Sequence, residues 1–132
     1  MSTTSPNITD PVTIVEVSPR DGLQNESALV YSDHKLALIG HLVTMGAKRV
    51  EVVSFVNPRR VPQMAGAEEI AAALSPTMGR SRIGLVLNLK GWERAVASGC
   101  DEANVVVCAS DGFGIRNQGS TTDEQMTVLA QI

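Results

Sequence analysis

The stretch Val15-Glu16-Val17-Ser18-Pro19-Arg20-Asp21-Gly22-Leu23-Gln24-Asn25-Glu26 closes a β-branched run, Val12 to Val17, with a dense set of polar side chains. In proteins that repeat a strand and a helix, the loop after each strand is where catalytic groups collect. This loop carries an arginine beside a carboxylate. A guanidinium can hold an anionic oxygen while the carboxylate holds a divalent cation, a pairing suited to chemistry through an enolate. Asp-Gly after Pro-Arg is also ordinary turn chemistry, and Arg-Asp an ordinary surface pair. The rest of the chain has to separate the two.

Downstream, strand and helix alternate. Asp33 predicts a cap for a helix from His34 to Met45, with Leu36, Ile39, Leu42 and Val43 along one stripe and Gly46 as its stop. Arg49 to Phe55 reads as a second strand and Gln63 to Leu74 as a second helix, with Pro58 and Pro62 in the loop between them. Arg82 to Leu87 is a third strand, Gly91 to Ser98 a third helix closed by Gly99, and Ala103 to Ala109 a fourth strand. Thr121 with Glu124 is a capping-box pattern opening a last helix. Aligning Met45-Gly46-Ala47-Lys48-Arg49-Val50-Glu51 with Ser98-Gly99-Cys100-Asp101-Glu102-Ala103-Asn104 sets Glu51 on Asn104. Two polar residues at one depth in apolar strands suggest positions facing a barrel lumen, or strand ends reaching solvent. Short connections imply parallel strands. A complete barrel of eight such units needs roughly 250 residues, so four units predict an α/β fold that is the N-terminal half of a (β/α)8 TIM barrel.

The 132 residues are 43% hydrophobic and 19% charged, the composition of one globular domain. With 3% aromatic residues, the core must be Val, Leu, Ile, Ala and Met, as in strands buried on both faces. The net charge is -3 and no basic cluster exists beyond Arg59-Arg60, a solvated loop pair, which excludes the electrostatic footprint of a nucleic-acid binder. No apolar run approaches a membrane span. Cys100 and Cys108 lack metal-ligand spacing and read as reduced, strand-packed thiols. Residues 1–11 read as a flexible tail rich in Ser, Thr and Pro, with neither basic residues nor an apolar segment, so a cytoplasmic protein is expected.

Beyond composition, the opening run resembles the N-terminal signature of the hydroxymethylglutaryl-CoA lyase family, metal-dependent barrel enzymes that split a carbon-carbon bond. Arg20-Asp21-Gly22 followed by Gln24 is common to related synthases and lyases, whereas Leu23-Gln24-Asn25-Glu26 looks like the lyase branch. Further matches follow in order: Val50 to Pro58, then Val61-Pro62-Gln63-Met64, then Asn88-Leu89-Lys90-Gly91, and more weakly Ala109 to Phe113 with Asn117. The resemblance makes residues 12–132 a partial, pyruvate carboxyltransferase-like barrel domain. It implies cleavage of 3-hydroxy-3-methylglutaryl-CoA to acetyl-CoA and acetoacetate, a reaction of leucine degradation, and a divalent metal, Mg or Mn.

By the same resemblance Asp21 is the metal carboxylate, and Arg20 is both catalytic and substrate-binding at the thioester oxygen. Glu51 is catalytic through its hold on the arginine, and Gln24, Ser54 and Asn117 bind substrate. Bland readings stand beside these: Glu51 as a partly solvated salt-bridge residue, Gln24 as a loop cap, Ser54 bonding local backbone, Asn117 as a turn former. Arg20, Asp21 and Glu51 are expected to converge at the carboxyl ends of the first two strands. His34 and His41, seven apart on a helix, do not match the family's His-x-His metal pair and read as surface residues. The family's later asparagine ligand and its Gly-rich cysteine loop are also missing, and Leu87 stands where a proline is common. Two alternatives remain: a Claisen-type synthase joining an acyl-CoA to a 2-oxo acid, or a non-catalytic half-barrel. The half-barrel needs a complementing C-terminal half or a second copy of itself, and the chain alone is expected to lack a complete site.

Overall fold

The computed structural model describes residues 11–75 and 80–132, so the expected tail lies, but for Pro11, outside the described residues. Four strands, β1 (Val15–Glu16), β2 (Arg49–Ser54), β3 (Ser81–Val86) and β4 (Glu102–Val105), form one sheet in sequential order, every neighbouring pair parallel. Helices alternate with them: α1 (Ser32–Thr44), α2 (Ala67–Ala73), α3 (Leu89–Ala97), α4 (Asp111–Gln118) and α5 (Thr122–Leu129). This is the strand-helix repeat expected, with the strand order of a barrel arc. Among the described residues, no helix is long and apolar enough to cross a membrane.

Helices α1, α2 and α3 cover one face of the sheet, and the core lies between. Ile39 and Val43 of α1, Val50 and Val52 of β2, Ile70 and Ala71 of α2, Val86 of β3 and Ala95 of α3 are buried there. Because side chains alternate along a strand, Arg49 and Glu51 fall on the opposite face from Val50 and Val52. Position 84 leaves little room for a side chain. A Cβ there would lie 2.6 Å from the Phe55 ring and 3.2 Å from Cys100 Sγ.

Several boundaries differ from those expected. β1 pairs only over Val15↔Arg49 and Glu16↔Val50, and Val12 and Ile14 before it stand exposed. Asp33 does not cap α1: the helix starts two residues earlier than expected, at Ser32 after Tyr31, and the Asp33 carboxylate accepts from the His34 N–H instead. The buried stripe of α1 includes a lysine, Lys35, in line with Ile39 and Val43, whereas Leu36 and Leu42 are half-buried. The second helix is split into a 3-10 turn at Pro62–Met64 and α2, because Gly66 between them takes the left-handed conformation (φ 79°) that side-chain residues avoid. β4 stops at Val105, and the segment expected to be a turn around Asn117 is a helix, α4. Neither cysteine lies in a strand: Cys100 precedes β4 and Cys108 follows it, both free. Burial pushes the Cys100 thiol up to about 11. The capping box at Thr121 and Glu124 is present, each side chain bonding the other's backbone N–H.

Candidate active site

Directly after β1, residues Ser18–Gly22 wind into a single π-helical turn with Pro19 as its second residue. Such widened turns are frequent at functional sites. The Val17 carbonyl accepts the backbone N–H groups of Arg20 (3.1 Å) and Asp21 (2.7 Å), which closes the turn over the strand end. Glu16 Oε1 accepts the Ser18 N–H at 2.8 Å, and this bond holds the Glu16 carboxyl below the usual carboxylate range.

The turn aims Arg20 at β2. Arg20 Nε donates to Glu51 Oε1 and Nη2 to Glu51 Oε2, both at 3.0 Å, and Nη1 donates to Asp21 Oδ1 at 2.9 Å. Glu51 is 2% exposed, so its charge is removed from water and compensated by a guanidinium in fork-to-fork geometry. Asn104 of β4 adds a third donor, Nδ2 to Glu51 Oε1 at 3.3 Å. Glu51 and Asn104 therefore do face the same side of the sheet, in keeping with the match between the two Gly-to-strand segments. Below them, Arg49 and Glu102 form a second ion pair from the same two strands, which lowers the Glu102 carboxyl. Glu51 is the third residue of β2, so Arg20, Asp21 and Glu51 come together with Arg20 and Asp21 at the strand end and Glu51 reaching up from mid-strand.

Asp21 is the open member of the set, with a side chain 55% exposed and only Oδ1 engaged among the described residues. Its donor set suits one oxygen ligand of a hard cation. Among the described residues, no three His, Cys, Asp or Glu side chains come together as a metal cage. His34 and His41 are exposed on α1 and take no part in the site.

The remaining expected site residues spread out. Gln24 is half-buried two residues beyond the turn. Asn117 is exposed on α4 and lines an open cleft of about 710 Å³ with Phe55, Asn57, Arg60, Asn88 and Arg116. Ser54 is fully buried, its Oγ without a hydrogen-bond partner among the described residues, in a small space shared with Pro19, Lys35 and Met64. Sequence reasoning missed Lys35, whose ammonium donates to the Gln63 carbonyl and whose burial lowers its pKa. Gln63 in turn donates from Nε2 to the Glu26 carbonyl at 2.9 Å, which ties the Val61-Pro62-Gln63-Met64 run to the loop after the Arg-Asp turn. The signal available was Lys35 itself, a cation in phase with Ile39 and Val43.

With this geometry in view, the comparisons with known proteins are specific. A family model described as HMGL-like matches residues 11–132. The 3-hydroxy-3-isohexenylglutaryl-CoA/hydroxy-methylglutaryl-CoA lyase of Pseudomonas aeruginosa is 43% identical over 111 residues, 84% of this chain and 37% of that protein. The (R)-citramalyl-CoA lyase of Chloroflexus aurantiacus is 42% identical over 125 residues, 87% of this chain and 39% of that one. Among solved structures, an HMG-CoA lyase from Acinetobacter baumannii in complex with coenzyme A and 3-methylmalate superposes with a TM-score of 0.88 at 35% identity, over 96% of this chain and 42% of that one. The chain spans about two fifths of the length of these relatives. It belongs to the HMGL-like family and corresponds to the N-terminal part of a hydroxymethylglutaryl-CoA lyase barrel.

Proposed function

We propose that the chain builds the arginine side of an active site that cleaves 3-hydroxy-3-methylglutaryl-CoA to acetyl-CoA and acetoacetate. The rest of that site comes from the part of the barrel that the chain does not span. The two-point pairing of Arg20 with buried Glu51 carries the reading. It fixes the guanidinium plane and leaves N–H donors on Nη1 and Nη2 without a partner among the described residues.

In the cleavage, the tertiary hydroxyl loses its proton and the bond between C2 and C3 breaks. C3 becomes the ketone of acetoacetate. The bond's electron pair passes into the thioester as an enolate, and a proton delivered to C2 gives acetyl-CoA. Arg20 receives the developing enolate oxygen with a fixed positive charge that needs no reorganisation. Glu51 keeps the guanidinium in place, and Gln24 and Asn117 contact substrate from the rim. Ser54, beneath Pro19, reaches substrate only if the turn shifts. A divalent metal, Mg or Mn, would be held on this side by Asp21, and when bound it supplies positive charge at the substrate's hydroxyl and carboxylate oxygens. One carboxylate does not make a tight site, so the 132-residue chain alone is expected to bind metal weakly and to be inactive. The Chloroflexus relative favours a second acyl group for the same reaction type, citramalyl-CoA, which also carries a tertiary hydroxyl.

The test is a chimera in which residues 11–132 replace the matching segment of the Pseudomonas relative, with acetoacetate release assayed in added Mg or Mn. Metal-dependent cleavage is expected, with Arg20→Met lowering turnover about 10²- to 10³-fold, the usual cost of one oxyanion partner. A metal-stimulated chimera that is indifferent to Arg20→Met would remove Arg20 from the chemistry.

A further inference from the structure

A carboxylate that is 2% exposed needs more than one partner, since each buried oxygen left short of donors costs free energy. Glu51 Oε2 takes Arg20 Nη2, whereas Oε1 takes both Arg20 Nε at 3.0 Å and Asn104 Nδ2 at 3.3 Å. The second donor comes from two strands away. Glu51 pairs in register with Ile83, and Asn104 pairs with Leu85, one pleat further along β3. Their side chains meet diagonally across the inner face over backbones about 10 Å apart.

Asn104 is exposed on the inner face between Ala103 and Val105, yet its amide is not left to solvent: Nδ2 donates to the buried Glu51 Oε1. Asparagine is among the poorer strand formers. The geometry points to a role through Glu51: we propose that Asn104 is a positioning residue for the proposed lyase reaction, fixing the Glu51 carboxylate from β4 so that Arg20 presents its free N–H donors to the enolate oxygen. A bidentate fork still allows the pair to rock about the line between its two bonds. A third donor at Oε1, from a different strand, removes that motion.

The inference rests on the lyase reading for its kinetic consequence but not for its structural one, so two measurements separate them. In the 132-residue chain, the Arg20 Nε–H should give a resolved nitrogen-proton NMR signal, shifted from free arginine and slow to exchange. Asn104→Val should collapse it toward the free value, whereas Asn104→Gln, which keeps the amide, should retain most of it. In the chimera, Asn104→Val should lower kcat about tenfold, the worth of one hydrogen bond to a charged group, with KM changed less than twofold, and Asn104→Gln should recover most of the loss. An Arg20 signal at the free position in the unmodified chain, or one unmoved by Asn104→Val, overturns the proposal. So does a Gln variant as impaired as the Val variant. An unmutated chimera without lyase activity would overturn the proposed function while the Arg20 signal still decided the role of Asn104.

Discussion

Arg20 and Glu51, 31 residues apart in sequence, meet through two 3.0 Å hydrogen bonds that lock a guanidinium to a carboxylate with 2% exposure. The pair is asymmetric: Arg20 is 13% exposed and has Asp21 as a second anion, while Glu51 is 2% exposed. Most of the behaviour of the site follows from that difference.

Removing either partner should cost stability unequally. Arg20→Met strands a buried carboxylate and is expected to destabilise the chain by about 3 kcal/mol or more. Glu51→Gln keeps the shape and leaves Arg20 with Asp21, so it should cost clearly less. Urea midpoints of the two variants measure this, and equal losses would contradict a charged, desolvated Glu51.

Lys35 should make stability depend on alkaline pH. Burial lowers its pKa in the folded chain, whereas the unfolded chain holds the proton up to about 10.4. Between those two values the unfolded state binds more protons, so the Lys35 contribution to stability rises with pH. Cys100 acts in the opposite sense, because its folded thiol, pushed up to about 11, holds a proton that the unfolded thiol has already lost. Lys35→Met retains Cys100. The unfolding free energy of the original chain should therefore gain on that of the variant as pH is raised from 7 to 10, and parallel curves would refute a desolvated ammonium.

Gly84→Ala should be destabilising by about 1–3 kcal/mol through overpacking. The added methyl meets the Phe55 ring at 2.6 Å, and Phe55 is 3% exposed with Arg94 stacked 5.5 Å from its centroid, so the ring has little room to yield. Thermal or urea unfolding reads the loss directly, and a neutral outcome would mean that the β2–β3–α3 packing is looser than its geometry.

Features that depend on neighbours along the chain are legible in the amino-acid sequence itself. The Val-rich run of β2, the capping box of α5 and the polar turn after β1 are set by alternation, by a side chain reaching three residues on, and by a strand ending on Pro-Arg-Asp. The match between the two Gly-to-strand segments even puts Glu51 and Asn104 on one face, because register repeats in a parallel sheet. Features that depend on distant partners are not legible in this way. The local pattern puts Lys35 in phase with Ile39 and Val43, but it does not name the Gln63 carbonyl that receives its charge, since that contact forms only when the 3-10 turn docks on α1. The α4 segment, with Gly112, Gly114 and Asn117, reads as a turn by propensity. It is a helix, and Gly114 within it is closely packed: a Cβ there would lie 2.6 Å from the Ser120 carbonyl oxygen and 2.7 Å from Gln125 Nε2, neighbours that the local pattern does not show. Propensity is worth tenths of a kcal/mol per residue and close packing several, so where the two conflict, the packed neighbours prevail.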